Sequence, residues 1–242
     1  MTRFDGKLFG GTGIAVSVAT MEAESGRGAV YTTVQFVGSA DVGDRIDCHV
    51  EILASGRRTS QLRMTGTVDG RTVLVAIGAT SDPRPAALTE QFGSMPDLPL
   101  PPASGEWNPN VPFEIPHDIP SWLTISELRE VYEPRHALWA RMRDMRLTRA
   151  TLGFLADMVP SAVARAAGQM GGGTSLDNHM RFGPAPETEW VLIDYDPYFA
   201  FGGYGHGSAR LWSSDGVLLG VASQTASLFV FDPDNPGTFV RR

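Results

Sequence analysis

Two turn dipeptides, Asp69-Gly70 and Asp215-Gly216, lie 146 residues apart, and the segments around them run in the same order. The first half reads "GGTGIAVSVATMEAES", an alanine- and valine-rich stretch entered through glycines. The strands "AVYTTVQFVG" and "DRIDCHVEILASG" follow, then the hairpin "RRTSQLRMTGTVDGRTVLVAIGAT". The second half repeats that order as "LTRATLGFLADMVPSAVARAAG", "SLDNHMRFG", "EWVLIDYDPYFAFGG" and "HGSARLWSSDGVLLGVASQTASLFVF". At an ungapped offset of 146, Phe36 falls on Phe182, Gly56 on Gly202, Gly26 on Gly172, Ala54 on Ala200 and Ala76 on Ala222. Apolar alternation on both sides of an Asp-Gly pair is a hairpin signal. Each half is therefore one buried helix followed by an antiparallel run of strands. Both elements must bury an apolar face, and a sheet wrapped around its own helix does so most simply. The sequence predicts an α+β chain of two such units. One difference separates them: strand-like "VYEPRHALWARM" precedes the second helix, and its counterpart would fall before residue 2. The first half is expected to be shortened at its N-terminus, or to borrow cover from elsewhere.

Between the halves, residues 82–120 hold ten of the chain's 17 prolines. Proline removes ladder donors and breaks helices, so the stretch is an irregular connector between units or a strap lying over a surface. The expected division is 1–82, a linker over 83–120, and 121–242. With 242 residues, 42% hydrophobic and 19% charged, the chain is of globular composition. A formal net charge of −7 argues against a nucleic-acid footprint. Cys48 is the single cysteine, so no intrachain disulfide forms; its alternation with Ile46, Val50 and Ile52 marks a buried strand residue rather than a nucleophile. No apolar run approaches membrane-spanning length and "MTRFDGKLFGG" has no leader-like apolar core, which points to a cytoplasmic protein.

"LFGG" at the first helix, "LGFLADMVP" in the second, "TSLDNHMRFGPAPETEW", and "DGVLLGVASQ" near the end together resemble the acyl-CoA thioesterase II family, the double-hotdog thioesterases. The resemblance covers nearly the whole chain. It implies two fused hotdog folds hydrolysing acyl-CoA to fatty acid and CoA, without a metal or organic cofactor. The family's working trio is an aspartate on the second helix, a threonine or serine opening the next strand, and a glutamine on a late strand. These fall on Asp157, Ser175 and Gln224. Ala156, Thr225 and Tyr204 depart from the family's usual serine, acid and arginine at their positions.

The chemistry supports the trio separately. Thioester hydrolysis needs a water aimed at the carbonyl carbon, a proton acceptor, and donors for the oxyanion. Asp157 is a carboxylate among apolar neighbours, where burial raises the pKa; Ser175 and Gln224 can hold the water or the acid in line. Backbone N–H groups at the helix start would suit an oxyanion, and Gly10 and Gly11 are candidates for binding substrate. At offset 146 the trio falls on Gly11, Ala29 and Gly78, with no acid, hydroxyl or amide among them. One site per chain, in the second half, is the expectation. Asp177 and His179, on the same alternation face as Ser175, are candidates to orient the site or touch substrate, against a reading as solvated strand residues. Arg57 and Arg58 are candidates for CoA phosphates, against a solvated strand end. The competing readings of the trio are a helix cap near Pro160, the end of a glycine turn, and an exposed edge position. Five histidines and one cysteine offer no metal-ligand spacing. "GGYGHGSA" leads into a strand, so neither a dinucleotide loop nor a nucleophile elbow fits. Two functions compete with the thioesterase: enoyl-CoA hydration, and non-catalytic acyl-CoA or lipid binding. An incomplete first sheet favours a homo-oligomer.

Overall fold

The computed structural model describes all residues except 4, 85–87, 102–120, 133–135, 186, 233, 235–237 and 242. The first half is helix α1 (Gly10–Ser25) and strands β1 (Gly28–Phe36), β2 (Asp47–Ser55), β3 (Thr59–Val68) and β4 (Arg71–Ser81). The second opens with a short turn of helix, α2 (Trp122–Ile125), and strands β5 (Ser126–Tyr132) and β6 (Ala137–Met142). Helices α3 (Arg149–Leu155) and α4 (Val159–Ala166) follow, then β7 (Gly171–Phe182), β8 (Val191–Phe201), β9 (Tyr204–Ser213), β10 (Leu218–Phe231) and the short β11 (Phe239–Arg241).

Helix α1 is buried because Ile14, Val18 and Met21 recur at helical spacing, each at most 1% exposed. Each such side chain contributes about 1.5–3 kcal/mol. Its hydroxyls are satisfied, Ser17 Oγ donating to Gly13 O at 2.7 Å within the helix and Thr12 Oγ1 to Met1 O at 3.0 Å outside it. The helix stops at Gly26, whose left-handed φ of 66° lets its N–H close on Glu22 O. Around α1 lies one apolar core, built with Val34, Leu62, Met64 and Leu74. Around α3 and α4 lies a second, built with Met180, Ile193, Ala209, Leu211 and Ala222.

The strands form a single sheet in the order β2-β3-β4-β1-β7-β10-β9-β8-β6-β5, with β11 added beside β10. The repeat is visible in that order. β1 pairs antiparallel with β7, and Thr33 stands opposite its own repeat partner His179. Their side chains meet, Oγ1 to Nδ1, at 2.6 Å. The halves are thus joined by a seam centred on repeat-related residues.

Three expectations change in detail. "VYEPRHALWARM" is not one strand but parts of the β5–β6 hairpin, with residues 133–135 outside the described ones. The helix expected over 147–168 is two, interrupted at residues 156–158. Cys48 is half-buried against the α1 core rather than fully buried, since β2 is an edge strand covered on one side only. Of the proline-rich connector, residues 88–101 behave as the strap. Met95 and Leu98 pack on Trp139, Leu192 and Trp212, and Trp139 Nε1 donates to Pro99 O at 2.9 Å. Residues 102–120, most of the remaining linker, lie outside the described residues.

Candidate active site

The helix interruption begins with Pro160. Proline has no N–H for the carbonyl four residues back and its ring crowds it, so a helix running through 156–160 is disfavoured. The chain ends α3 at Leu155 and restarts at Val159 with Pro160 in the first turn. Asp157 sits in that break rather than on a helix, 6% exposed. It does not cap α4, whose N-cap is Met158 with no side-chain bond. Its carboxylate faces away from α4 toward three other elements.

From β7, Asn178 Nδ2 donates to Asp157 Oδ1 at 2.9 Å. From β10, Gln224 Nε2 donates to the same oxygen at 2.7 Å, and to Ser175 Oγ at 2.8 Å. From the first half, the backbone N–H of Gly11 donates to the carboxylate. Gln224 is 1% exposed in the middle of the sheet, so the edge-position reading is excluded. Gly10 lies directly over the acid: a Cβ there would stand 2.5 Å from Asp157 Oδ2 and 2.8 Å from Ser175 Oγ. Only glycine lets the start of α1 approach this closely. The start of α1, from the first half, therefore lies over the polar cluster of the second.

A β-bulge decides which polar residues of β7 enter the site. Thr225 pairs with Asp177 and Ala226 with Ser175, leaving Leu176 as the extra residue. One inserted residue reverses the alternation. Ser175 therefore joins Asn178 on the inner face, and Asp177 and His179 do not share its face as the spacing suggested. Asp177 Oδ1 accepts the Thr225 N–H at 2.8 Å, holding the bulge, and His179 belongs to the β1–β7 seam. Burial and the neighbouring Arg181 hold the His179 pKa below its ordinary value.

Burial pushes the Asp157 pKa up from 3.8 to about 7, against the lowering effects of the Asn178, Gly11 and Gln224 hydrogen bonds and the Arg3 charge. A carboxyl poised there can exchange a proton near neutral pH.

Beside the acid opens a cavity of about 700 Å³. Among its walls Leu128 and Ala137 are at most 2% exposed, with Met158 and Tyr195 at 8% and 6%. Met170 and Phe239, 43% and 37% exposed, also line it, as do Arg3 and Arg165. Arg57 and Arg58 are not among its walls. They occupy the β2–β3 turn, where Arg58 Nη1 donates to Pro83 O at 2.8 Å. The cavity's own cations were not singled out by the sequence. Arg3 is held by Asp5 and donates to Gly173 O and Thr174 Oγ1 at 3.2 and 3.1 Å. Asn178 was also missed: it reads as one more polar strand residue until the bulge is known.

The acyl-CoA thioesterase N-terminal domain family matches residues 1–81, and the acyl-CoA thioesterase C-terminal domain family matches residues 93–228. Among solved structures, a protein of Novosphingobium aromaticivorans assigned as a thioesterase is 32% identical, with a TM-score of 0.82 over 91% of this chain and 87% of that one. A hot dog fold protein of Alicyclobacillus acidocaldarius is 24% identical, TM-score 0.73, over 93% and 88%. An acyl-CoA thioesterase II of Mycobacterium marinum is 17% identical, TM-score 0.68, over 94% and 92%. No curated protein matches the chain significantly. Among the described residues, no helix is long and apolar enough to cross a membrane.

Proposed function

The chain belongs to the acyl-CoA thioesterase family and is a thioester hydrolase of α+β hotdog fold, and from that premise we propose that Asp157, Ser175 and Gln224 direct a water at acyl-CoA. The observation that carries the reading is Gln224 Nε2 bridging Asp157 Oδ1 and Ser175 Oγ beneath the start of α1. Asp157 takes a proton from the water as its oxygen bonds to the thioester carbon. The carbonyl oxygen becomes an oxyanion, met by the Gly10 N–H at the start of α1 with the helix dipole behind it, while the Gly11 N–H stays on Asp157. Collapse breaks the C–S bond, and the proton on Asp157 passes to the departing CoA sulfur. Gln224 Oε1 and Asn178 Oδ1 are buried without a hydrogen-bond partner among the described residues, and each can accept a hydrogen of the water. The products are a free fatty acid and CoA.

The same reading takes the fold as a double hotdog: a first unit over 1–82 with four strands, a linker over 83–120, and a second unit over 121–242 to which β5 and β6 are added. A first unit without equivalents of β5 and β6 leaves β2 as an open edge, which favours a homo-oligomer. A single cysteine suits a reducing, cytoplasmic setting. The test is free-thiol release from short, medium and long acyl-CoAs with a chelator present, in wild type and Asp157→Asn. Release that the substitution abolishes is expected. Binding without release at every chain length would give the lipid-binding function instead.

A further inference from the structure

Tyr195 on β8 lines the cavity with its hydroxyl fully buried, yet neither thioester hydrolysis nor packing calls for that hydroxyl. The residue is 6% exposed, lines the cavity, and its phenolic oxygen has no hydrogen-bond partner among the described residues. Its surroundings are apolar: Leu128, Met158, Ala162 and Ala209 belong to the same core cluster. Phenylalanine would fill that wall without an unpaired hydroxyl, and buried tyrosine hydroxyls ordinarily find a partner. A partner arriving through the cavity removes the penalty of leaving the group unmade.

Position decides which part of the substrate that partner is. Across the sheet Tyr195 on β8 stands opposite Ala209 on β9, which stands opposite Ala222 on β10 and then Met180 on β7, two residues along from the row of Gln224 and Asn178. At about 4.8 Å per strand, the β8 backbone lies roughly 14 Å from that of β7, less the reach of the side chains. Tyr195 is thus three strands from Ser175 and among the most buried of the cavity's walls, whereas Met170 and Phe239 are 43% and 37% exposed. On the thioesterase reading the bulky, charged CoA stays with the exposed walls, so the group that meets Tyr195 is the acyl chain. Burial and the Asp157 charge both push the phenol's pKa up, so it stays protonated and able to donate.

We propose that Tyr195 is a specificity-determining residue that selects acyl groups bearing an oxygen, hydroxyl or oxo, a few carbons from the thioester. The inference rests on the thioesterase reading of the site. In the test, matched acyl-CoAs with no substituent, or with a hydroxyl or oxo group at carbon 3, 4 or 5, are assayed for thiol release. Wild type and Tyr195→Phe are compared, with thermal melts of both. Wild type is expected to favour at least one oxygenated position by tenfold or more in kcat/KM. Tyr195→Phe is expected to bring that ratio to near one while the protein stays folded. Equal wild-type rates for plain and oxygenated chains, or an unchanged ratio in Tyr195→Phe, would overturn it. Calorimetric titration of the same compounds into Asp157→Asn, with and without Tyr195→Phe, separates the two readings. An oxygen-dependent affinity lost with the phenol supports this proposal even if wild type hydrolyses nothing, and its absence in that case overturns it.

Discussion

The two halves carry the same strand sequence around the same kind of helix, but they use the inner face of the sheet differently. Asp157, Ser175, Asn178 and Gln224 have Gly11, Ala29, Thr32 and Gly78 as their counterparts at offset 146. In the second half these positions form a hydrogen-bonded cluster beside a cavity. In the first half the space is filled. Met21 is 1% exposed and its sulfur would lie 2.9 Å from a Cβ at Gly78, while Thr32 Oγ1 is buried without a partner among the described residues. The helices differ in the same sense. α1 runs unbroken for 16 residues, whereas its counterpart is interrupted at residues 156–158, where Asp157 stands. On the proposed function, the inner face of one half serves packing and that of the other serves chemistry. The packed half still takes part, because Gly11, the counterpart of Asp157, donates to it.

The most severe break of this comparison is at the acid itself. Asp157→Asn keeps the size of the side chain and removes the proton acceptor, so kcat should fall about 10²–10⁴-fold. Stability should move the other way. The folded carboxyl holds its proton up to about pH 7 against an ordinary value of 3.8, so between those limits the folded state binds more protons than the unfolded. Wild-type stability from this group is therefore lost as pH rises through that window. At pH 8 the Asn variant should be more stable than wild type by roughly 1–4 kcal/mol, with the gap closing near pH 4. Paired denaturant melts at the two pH values check it. A variant less stable than wild type at pH 8 would mean that the carboxylate is not under strain.

Next in size is the pair Gln224 and Gly78. Gln224→Ala removes the donor bridging Asp157 and Ser175 and should lower kcat roughly 10²-fold. At Gly78 a Cβ would stand 2.6 Å from Tyr31 O, a backbone atom that cannot swing aside. Gly78→Ala should therefore cost about 1–3 kcal/mol of stability and leave kcat of the folded fraction near wild type. Equal kcat losses in two folded variants would end the assignment of chemistry to one half.

The wild-type pH profile is a gentler probe of the same asymmetry. With one titrating base, kcat/KM should rise with pH through about 7 and then level, a tenfold gain per unit on the acid side. A flat profile between pH 5 and 9 would remove Asp157 as the base.

The sequence carried the element order and both turns, because periodicity and Asp-Gly turns are local signals and the repeat doubled each of them; the seam between halves, a pairing of distant strands, was not legible. It placed Asp157, Ser175 and Gln224 by resemblance and by the contrast with their counterparts. It did not place Asn178, because the face of a strand residue depends on the bulge at Leu176, and nothing in "TSLDNHM" marks a bulge. The same bulge misassigned Asp177 and His179. Arg57 and Arg58 misled for another reason: adjacent arginines at a strand end describe a turn, not its distance from a cavity. Arg3 was overlooked since its role arises only when the N-terminal segment folds back onto β7.

The mildest change tests the residue that the sequence hid. Asn178→Thr gives the second half the residue its counterpart position holds in the first, Thr32. Asn178 donates to Asp157 Oδ1, a bond that favours the ionised acid and holds the pKa below where burial alone would set it. A threonine, one heavy atom shorter, cannot keep the same bond from the same backbone position. The midpoint of the kcat/KM profile should therefore move up in pH. Activity at pH 7 should fall roughly 3–10-fold, consistent with losing one hydrogen bond to a charged group, and should recover by pH 9. Recovery is what identifies the mechanism, because a misplaced catalytic group stays misplaced at every pH. An equal deficit at pH 7 and pH 9, in a variant with an unaltered melt, would show that Asn178 acts on the water or the substrate rather than on the ionisation of Asp157.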